Sequence, residues 1–152
     1  MIAAAREELD EALDELRTVV VGLDRDSLNR LPLPQDTNSL AVLVVHGVAS
    51  TRSWLSLATG APFPDRDRDA EFRTVVEDPA VFLAEFDAAA EACRELLSPE
   101  VVFDPAREGT GPWRVRELAS ENVSAAAALL HALAHLNEHV GHAQLTRQLW
   151  KV

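Results

Sequence analysis

Apolar residues recur at intervals of three and four along four long stretches of the chain, and this spacing predicts four amphipathic helices. We expect the first helix over residues 2–23, with acidic side chains on its outer face. The second runs from Asn38 or Ser39, either of which can cap a helix N-terminus, to Thr59, where a Gly-x-Pro-x-Pro sequence ends it. Its apolar residues point to more than one side, so we expect it to lie centrally among the other helices.

Proline and capping residues delimit the other two helices. Asp78-Pro79 starts the third, with proline at its preferred first position, and Ser98-Pro99 ends it. The last helix starts between Val115 and Ser124 and continues to about Trp150. We expect connections over 24–37, 60–77 and 99–116, the first of which is either a plain connector or a short turn of helix. The alternating charges of DRDRDAEFR in the second connection are typical of a solvated loop, and Trp113 in the third is expected to close one end of the core or of a pocket.

Length and composition favour an all-α protein with one domain. A chain of 152 residues, 47% of them hydrophobic, is long enough to bury a proper core. Alanine, leucine and glutamate are abundant and glycine is scarce, as in helical domains. The sequence contains no internal repeats, and its amino-acid composition does not change along the chain. We therefore expect residues 1–152 to form a single domain of four helices.

The charge of the chain excludes several kinds of partner. A net charge of −11 and a pI near 4.8 disfavour binding to nucleic acid or to an anionic membrane surface.

No uninterrupted apolar run approaches the roughly 18 residues of a membrane span, and acidic residues in the second turn argue against a signal peptide. The lone cysteine, Cys93, sits among alanines and is expected to be a small buried residue. We expect a cytoplasmic protein.

Four of the five histidines lie within twelve residues of the last predicted helix, as His131, His135, His139 and His142. At about 100° per residue they fall within roughly an 80° arc of one helical face. Two imidazoles at i and i+4 can hold one metal ion, and His46 on the second helix would add a third ligand and leave one position open. The alternatives are a surface stripe of histidines, or core histidines bonded to backbone carbonyls.

Two further residues of the last helix bear on this cluster. Glu138 lies on the same side and is a candidate for hydrogen-bond acceptor, fourth ligand or general base, or else a plain salt-bridge partner. Gly141 costs about 1 kcal/mol relative to alanine in a helix interior, and either permits close helix approach or is merely tolerated. The sequence has no Gly-rich phosphate loop, GxSxG or CxxC, which excludes the common nucleotide, hydrolase-elbow and redox motifs.

The segments NSLAVLVVHGVAS and HLNEHVGHAQLTRQLW resemble the DinB/YfiT-like metalloenzyme superfamily. The resemblance implies a four-helix bundle with an up-down-down-up course and a metal held by His46, His135 and His139. The family often has Arg-Gly-Gln after the C-terminal pair, whereas this chain has Val-Gly-His over residues 140–142. His142 therefore replaces the glutamine, and His131 is an extra histidine one turn earlier. We treat both as additional candidate site residues.

The same resemblance implies a function. Relatives include transferases and isomerases that use mycothiol or bacillithiol, so we expect a divalent metal, a low-molecular-weight thiol and a small electrophilic substrate. Zinc is the first expectation for the metal, but nickel, iron and manganese also suit imidazole ligands. The alternatives are hydrolysis by metal-activated water, and a non-catalytic, metal-stabilised module for binding or dimerisation. Pairing into a homodimer through apolar helix faces is a further expectation.

Overall fold

The computed structural model describes residues 1–33, 37–111 and 122–150, and these residues are mostly helical. Their elements in chain order are α1 (Ile2–Val20), α2 (Arg25–Asn29), α3 (Leu40–Thr59), α4 (Arg68–Glu71), α5 (Pro79–Glu95), β1 (Glu108–Gly109), β2 (Val123–Ser124) and α6 (Ala125–Gln148). The two short strands pair antiparallel just before α6. The expectation of an all-α protein is confirmed at this level.

Local chemistry accounts for most of the helix boundaries. Capping side chains accept hydrogen bonds from backbone N–H groups at the starts of five helices, and the capping residues are Asp24, Ser39, Asp67, Asp78 and Ser124. At its C-terminus α3 stops where Gly60 takes a left-handed conformation (φ 76°), as its sequence predicts. The predicted end of α1 was three residues too late, because Val21 is extended and Gly22 has a positive φ.

The last helix begins at the late end of its predicted range. Ser124 caps α6, whose first residue is Ala125. The earlier part of that range, and the expectation that Trp113 closes one end of the core, lie outside the described residues.

Helix α3 is central, as its apolar pattern predicts. It packs against both α5 and α6, and α1 also packs against both of them. Leucines from three helices fill the interior between them, namely Leu9, Leu13, Leu16, Leu40, Leu55 and Leu136. Within the described residues α3 alone has the length and hydropathy to cross a membrane, although polar residues interrupt it. However, 83% of that window is buried inside the protein, as in a core helix.

The connection between α3 and α5 folds back onto α3 instead of extending into solvent. Asn29 at the end of α2 holds its far end: the side-chain amide donates to the Val76 carbonyl at 2.7 Å, and the Val76 N–H donates to Asn29 Oδ1 at 2.8 Å. Within this connection Glu71, the last residue of α4, is only 6% exposed. The prediction of a solvated loop over DRDRDAEFR is therefore wrong at Glu71.

Candidate metal centre

Helices α3 and α6 bring three of the predicted ligands together. His135 and His139 lie on successive turns of α6, and His46 faces them from α3. One ring nitrogen from each residue lies within 4.8 Å of the corresponding atom of the other two. The ring centroid of His46 is 5.5 Å from that of His135 and 5.1 Å from that of His139. This spacing suits three imidazoles that share one divalent ion.

The close approach of the two helices depends on Gly47. A Cβ at this position would lie 3.2 Å from Cβ and 3.4 Å from Cγ of His139, which is tighter than ordinary van der Waals contact. Of the two alternatives expected for Gly141, close helix approach is wrong and tolerance of the glycine is confirmed. A Cβ at Gly141 would meet nothing within 4 Å, so its position allows a side chain.

A buried carboxylate supports the His46 ring from outside the group of three. Oε2 of Glu71 lies 2.8 Å from Nδ1 of His46. Arg66 donates to the same carboxylate twice, from Nε to Oε1 at 2.6 Å and from Nη2 to Oε2 at 2.8 Å. Burial by itself would raise the pKa of Glu71, but the hydrogen bonds from His46 and Arg66 and their charges outweigh it and lower that pKa. Glu71 is therefore ionised, and His46 is the donor in their hydrogen bond.

His135 and His139 are held in the neutral form. Burial, followed by the charges of neighbouring histidines, lowers the pKa of each to about 4. Both Nδ1 atoms are buried, and neither has a hydrogen-bond partner within the described part of the chain. Buried polar atoms normally have a partner, and a neutral imidazole is the form that binds a metal. The donor set therefore fits a divalent ion held by neutral histidines.

The remaining sequence candidates surround this group without joining it. His131, one turn before His135, packs its ring against Trp54 at 4.2 Å between centroids and stacks on His135 at 5.7 Å. His142 is exposed, with its ring 6.0 Å from that of His139. Glu138 is also exposed, and its charge only slightly opposes the lowering of the His135 pKa. The functional roles assigned to these three residues stay predictions.

Arg66 and Glu71 were not predicted as site residues from the sequence. Both lie in a run of alternating charges, whose pattern gives no sign of which member is buried. One signal was available: Asp67 is a good N-cap residue, and its side chain accepts from the Ala70 N–H. A helical turn capped there would have predicted a short helix over residues 68–71 in place of a plain loop.

A cavity lies between α3 and α5, separate from the group of three histidines. It has a volume of about 230 Å³ and mainly apolar walls that include Val45, Val48, Phe82 and Phe86, and Arg66 forms part of the wall.

Cys93 is not a nucleophile at the candidate metal centre or in this cavity, because it is fully buried and burial raises the pKa of its thiol to about 12. The expectation of a small buried residue is confirmed.

Comparisons with known proteins agree with the sequence resemblance. A family model described as Mycothiol-S-transferase matches residues 5–151. Among solved structures, a conserved protein from Enterococcus faecalis superposes with a TM-score of 0.74, covering 98% of this chain and 96% of that chain at 16% identity. At that identity the likeness concerns the fold alone. No curated protein sequence matches this chain.

Proposed function

Because this chain belongs to the mycothiol S-transferase family, we propose that it transfers a low-molecular-weight thiol to a small electrophile at a metal held by His46, His135 and His139. The observation that carries the proposal is the group of three histidines across α3 and α6. Two of its members are held neutral, as metal ligands must be. Mycothiol is the thiol that the family name indicates, and zinc is the first candidate for the metal.

A divalent metal at this site would supply Lewis acidity, which lowers the pKa of a thiol that binds in the position left open by three protein ligands. His135 and His139 contribute lone pairs without first losing a proton, because their pKa values are near 4. Phe72 covers one side of the His46 ring, at 4.5 Å between centroids, and limits the access of water there. In the transfer, the sulfur lone pair forms a bond to the electrophilic carbon, the leaving group departs with its bonding electrons, and the thiol proton passes to solvent.

The alternatives make different demands on the site. A metal that only stabilises the fold typically has four protein ligands sealed from water. The described residues bring three together, and this favours chemistry over a non-catalytic binding or dimerisation module. Hydrolysis by metal-activated water requires the same open position, so geometry does not separate it from thiol transfer. The thiol dependence of the reaction does.

We also infer an up-down-down-up course for the four long helices and one domain over residues 1–152. Two observations support this course: α1 and α3 each pack against both α5 and α6, and a long connection joins α3 to α5. A cytoplasmic location and a homodimer stay predictions from the sequence.

The test of the proposed function is a thiol-dependent rate. Metal-loaded protein is mixed with mycothiol, bacillithiol, glutathione or cysteine and with an electrophile whose leaving group is coloured. We expect acceleration with at least one thiol, lost in His46→Ala and His139→Ala and kept in the control Asn137→Ala, which removes an exposed side chain of α6. Absence of acceleration over His46→Ala with every thiol would overturn thiol transfer. Release of the coloured group without thiol would favour the hydrolase instead.

A further inference from the structure

The hydrogen bond between Glu71 and His46 joins the α3–α5 connection to the metal centre. Both residues are almost fully buried, at 6% and 7% exposure, so water competes little for the carboxylate or for Nδ1. We infer that Glu71, held by Arg66, is a positioning residue that keeps the proton of His46 on Nδ1 and thereby assigns Nε2 to the metal. The inference rests on the proposed metal site and adds two residues to it that do not touch the ion.

The charge balance of the pair explains how a carboxylate can occupy this position. An unpaired buried carboxylate would be strongly destabilising. Arg66 compensates the charge of Glu71 with two parallel hydrogen bonds, a geometry that also fixes the plane of the carboxylate. One lone pair of Oε2 then remains directed at the His46 ring. The carboxylate is an acceptor with no proton of its own to give.

The opposite arrangement, in which Nδ1 of His46 is unprotonated, conflicts with the same distances. It would place a lone pair of Nδ1 against a carboxylate oxygen at 2.8 Å, which is repulsive. The donor left for Nδ1 would be Nη2 of Arg66, which is 3.5 Å away and already bonded to Glu71 at 2.8 Å. The short contact therefore decides the tautomer. Flipping the ring would replace Nδ1 by a carbon and lose the bond, so its orientation is fixed as well.

Glu138 was the sequence candidate for the acceptor role, and its position differs from that of Glu71 in burial. Its side chain is exposed, whereas the carboxylate of Glu71 is enclosed by Arg66 and His46. Hydrogen bonds to the second nitrogen of a metal-binding histidine fix its orientation and raise its basicity, and their removal typically costs about 10- to 100-fold in metal affinity. We expect a loss of that size for the Glu71 carboxylate, and a smaller loss for Glu138.

The first experiment measures the tautomer directly. In metal-free protein near pH 8, the ¹⁵N chemical shifts of the histidine rings report which nitrogen carries the proton; His46→Gln identifies the His46 signals. We expect Nδ1 of His46 to be protonated and Nε2 to be free in the wild type. A proton on Nε2 in the wild type would overturn the inference. This readout requires neither metal nor thiol, so failure of the proposed function leaves it intact.

The second experiment measures metal affinity by competition with a chromophoric chelator. Glu71→Gln should bind zinc about 10- to 100-fold more weakly. The matched control is Glu77→Gln, which removes an exposed carboxylate of the same connection, 72% accessible and paired with Arg25; we expect wild-type affinity. Unchanged affinity in Glu71→Gln would overturn the inference. If circular dichroism shows that this variant is unfolded, Arg66→Gln decides: weaker binding supports the inference and unchanged binding overturns it.

Discussion

A Cβ on Gly47 would lie 3.2 Å from Cβ of His139, so the absence of a side chain at residue 47 allows the close approach of α3 and α6 at the candidate metal centre. We expect Gly47→Ala to displace His139 and to weaken zinc binding by about tenfold or more, because overpacking of a close contact costs about 1–3 kcal/mol. Alanine is favoured over glycine in a helix by about 1 kcal/mol, so the stability of the metal-free protein should change less than the affinity. Chelator competition and urea unfolding measure the two effects.

The control for this prediction is Gly141→Ala on the partner helix. Nothing lies within 4 Å of a Cβ there, so the variant should gain about 0.5–1 kcal/mol in unfolding free energy and bind zinc as the wild type does. Equal affinity in the two variants would show that Gly47 does not control the geometry of the centre.

A second prediction concerns metal content. Untagged protein purified without added metal should contain about one divalent ion per chain, and His46→Ala, His135→Ala and His139→Ala should each lose it, because each removes one of three ligands. Loading should also raise the unfolding free energy by about 2.7 kcal/mol at free metal one hundred times the dissociation constant. Elemental analysis and calorimetry measure these quantities. Asn137→Ala, which removes an exposed side chain of α6, should behave as the wild type, and metal retained in His46→Ala would refute the shared site.

The pH dependence of the metal-free protein follows from the lowered pKa values of His135 and His139. Both fall from 6.5 to about 4 on folding, so between these pH values the unfolded chain binds protons that the folded chain does not. Stability should therefore be fully present above pH 6.5 and be lost as the pH falls toward 4. Urea midpoints between about pH 7.5 and 5 test this, before most carboxylates titrate. A double variant His135→Gln/His139→Gln should show a shallower decline, and an equal decline would contradict the assignment.

A fourth prediction concerns the amide that holds the α3–α5 connection in place. Asn29→Ala removes both hydrogen bonds to the Val76 backbone and should cost about 1–3 kcal/mol in unfolding free energy. Amide exchange over residues 68–76 should accelerate, because that segment loses its attachment to α2. The matched control is Asn137→Ala, whose exposed amide contacts Glu8 and should cost less than about 0.5 kcal/mol. Unchanged exchange in Asn29→Ala would show that the segment is held by other contacts.

Much of the helical framework could be predicted because its signals are local. Ser39 and Asp78 cap the helices that they were expected to cap, and Gly60 ends α3 with the left-handed conformation that glycine favours. The meeting of His135 and His139 also follows from helical periodicity alone. Their pairing with His46 was a hypothesis from residue type that the family resemblance supported, because spacing along the chain does not show a long-range contact between α3 and α6.

The features that escaped prediction depend on tertiary packing. Burial of Glu71 follows from the folding of a charged connection against α3, and alternating charges look the same whether or not one of them is enclosed. The choice between Gly47 and Gly141 has the same origin, because each glycine lies beside a histidine in sequence. Only the relative rotation of α3 and α6 decides which of them faces the other helix.

The placement of Cys93 affects how long such a catalyst would survive its own substrates. A protein that brings electrophiles to an activated sulfur risks alkylating itself, and each such event would remove a molecule from the active pool. This chain has one cysteine, which is fully buried, and burial raises the pKa of its thiol to about 12, so it is protonated near neutral pH. Under the proposed function, an incoming electrophile would therefore meet no thiolate of the protein's own, and the small thiol consumed in each turnover would be the only thiol that has to be replaced.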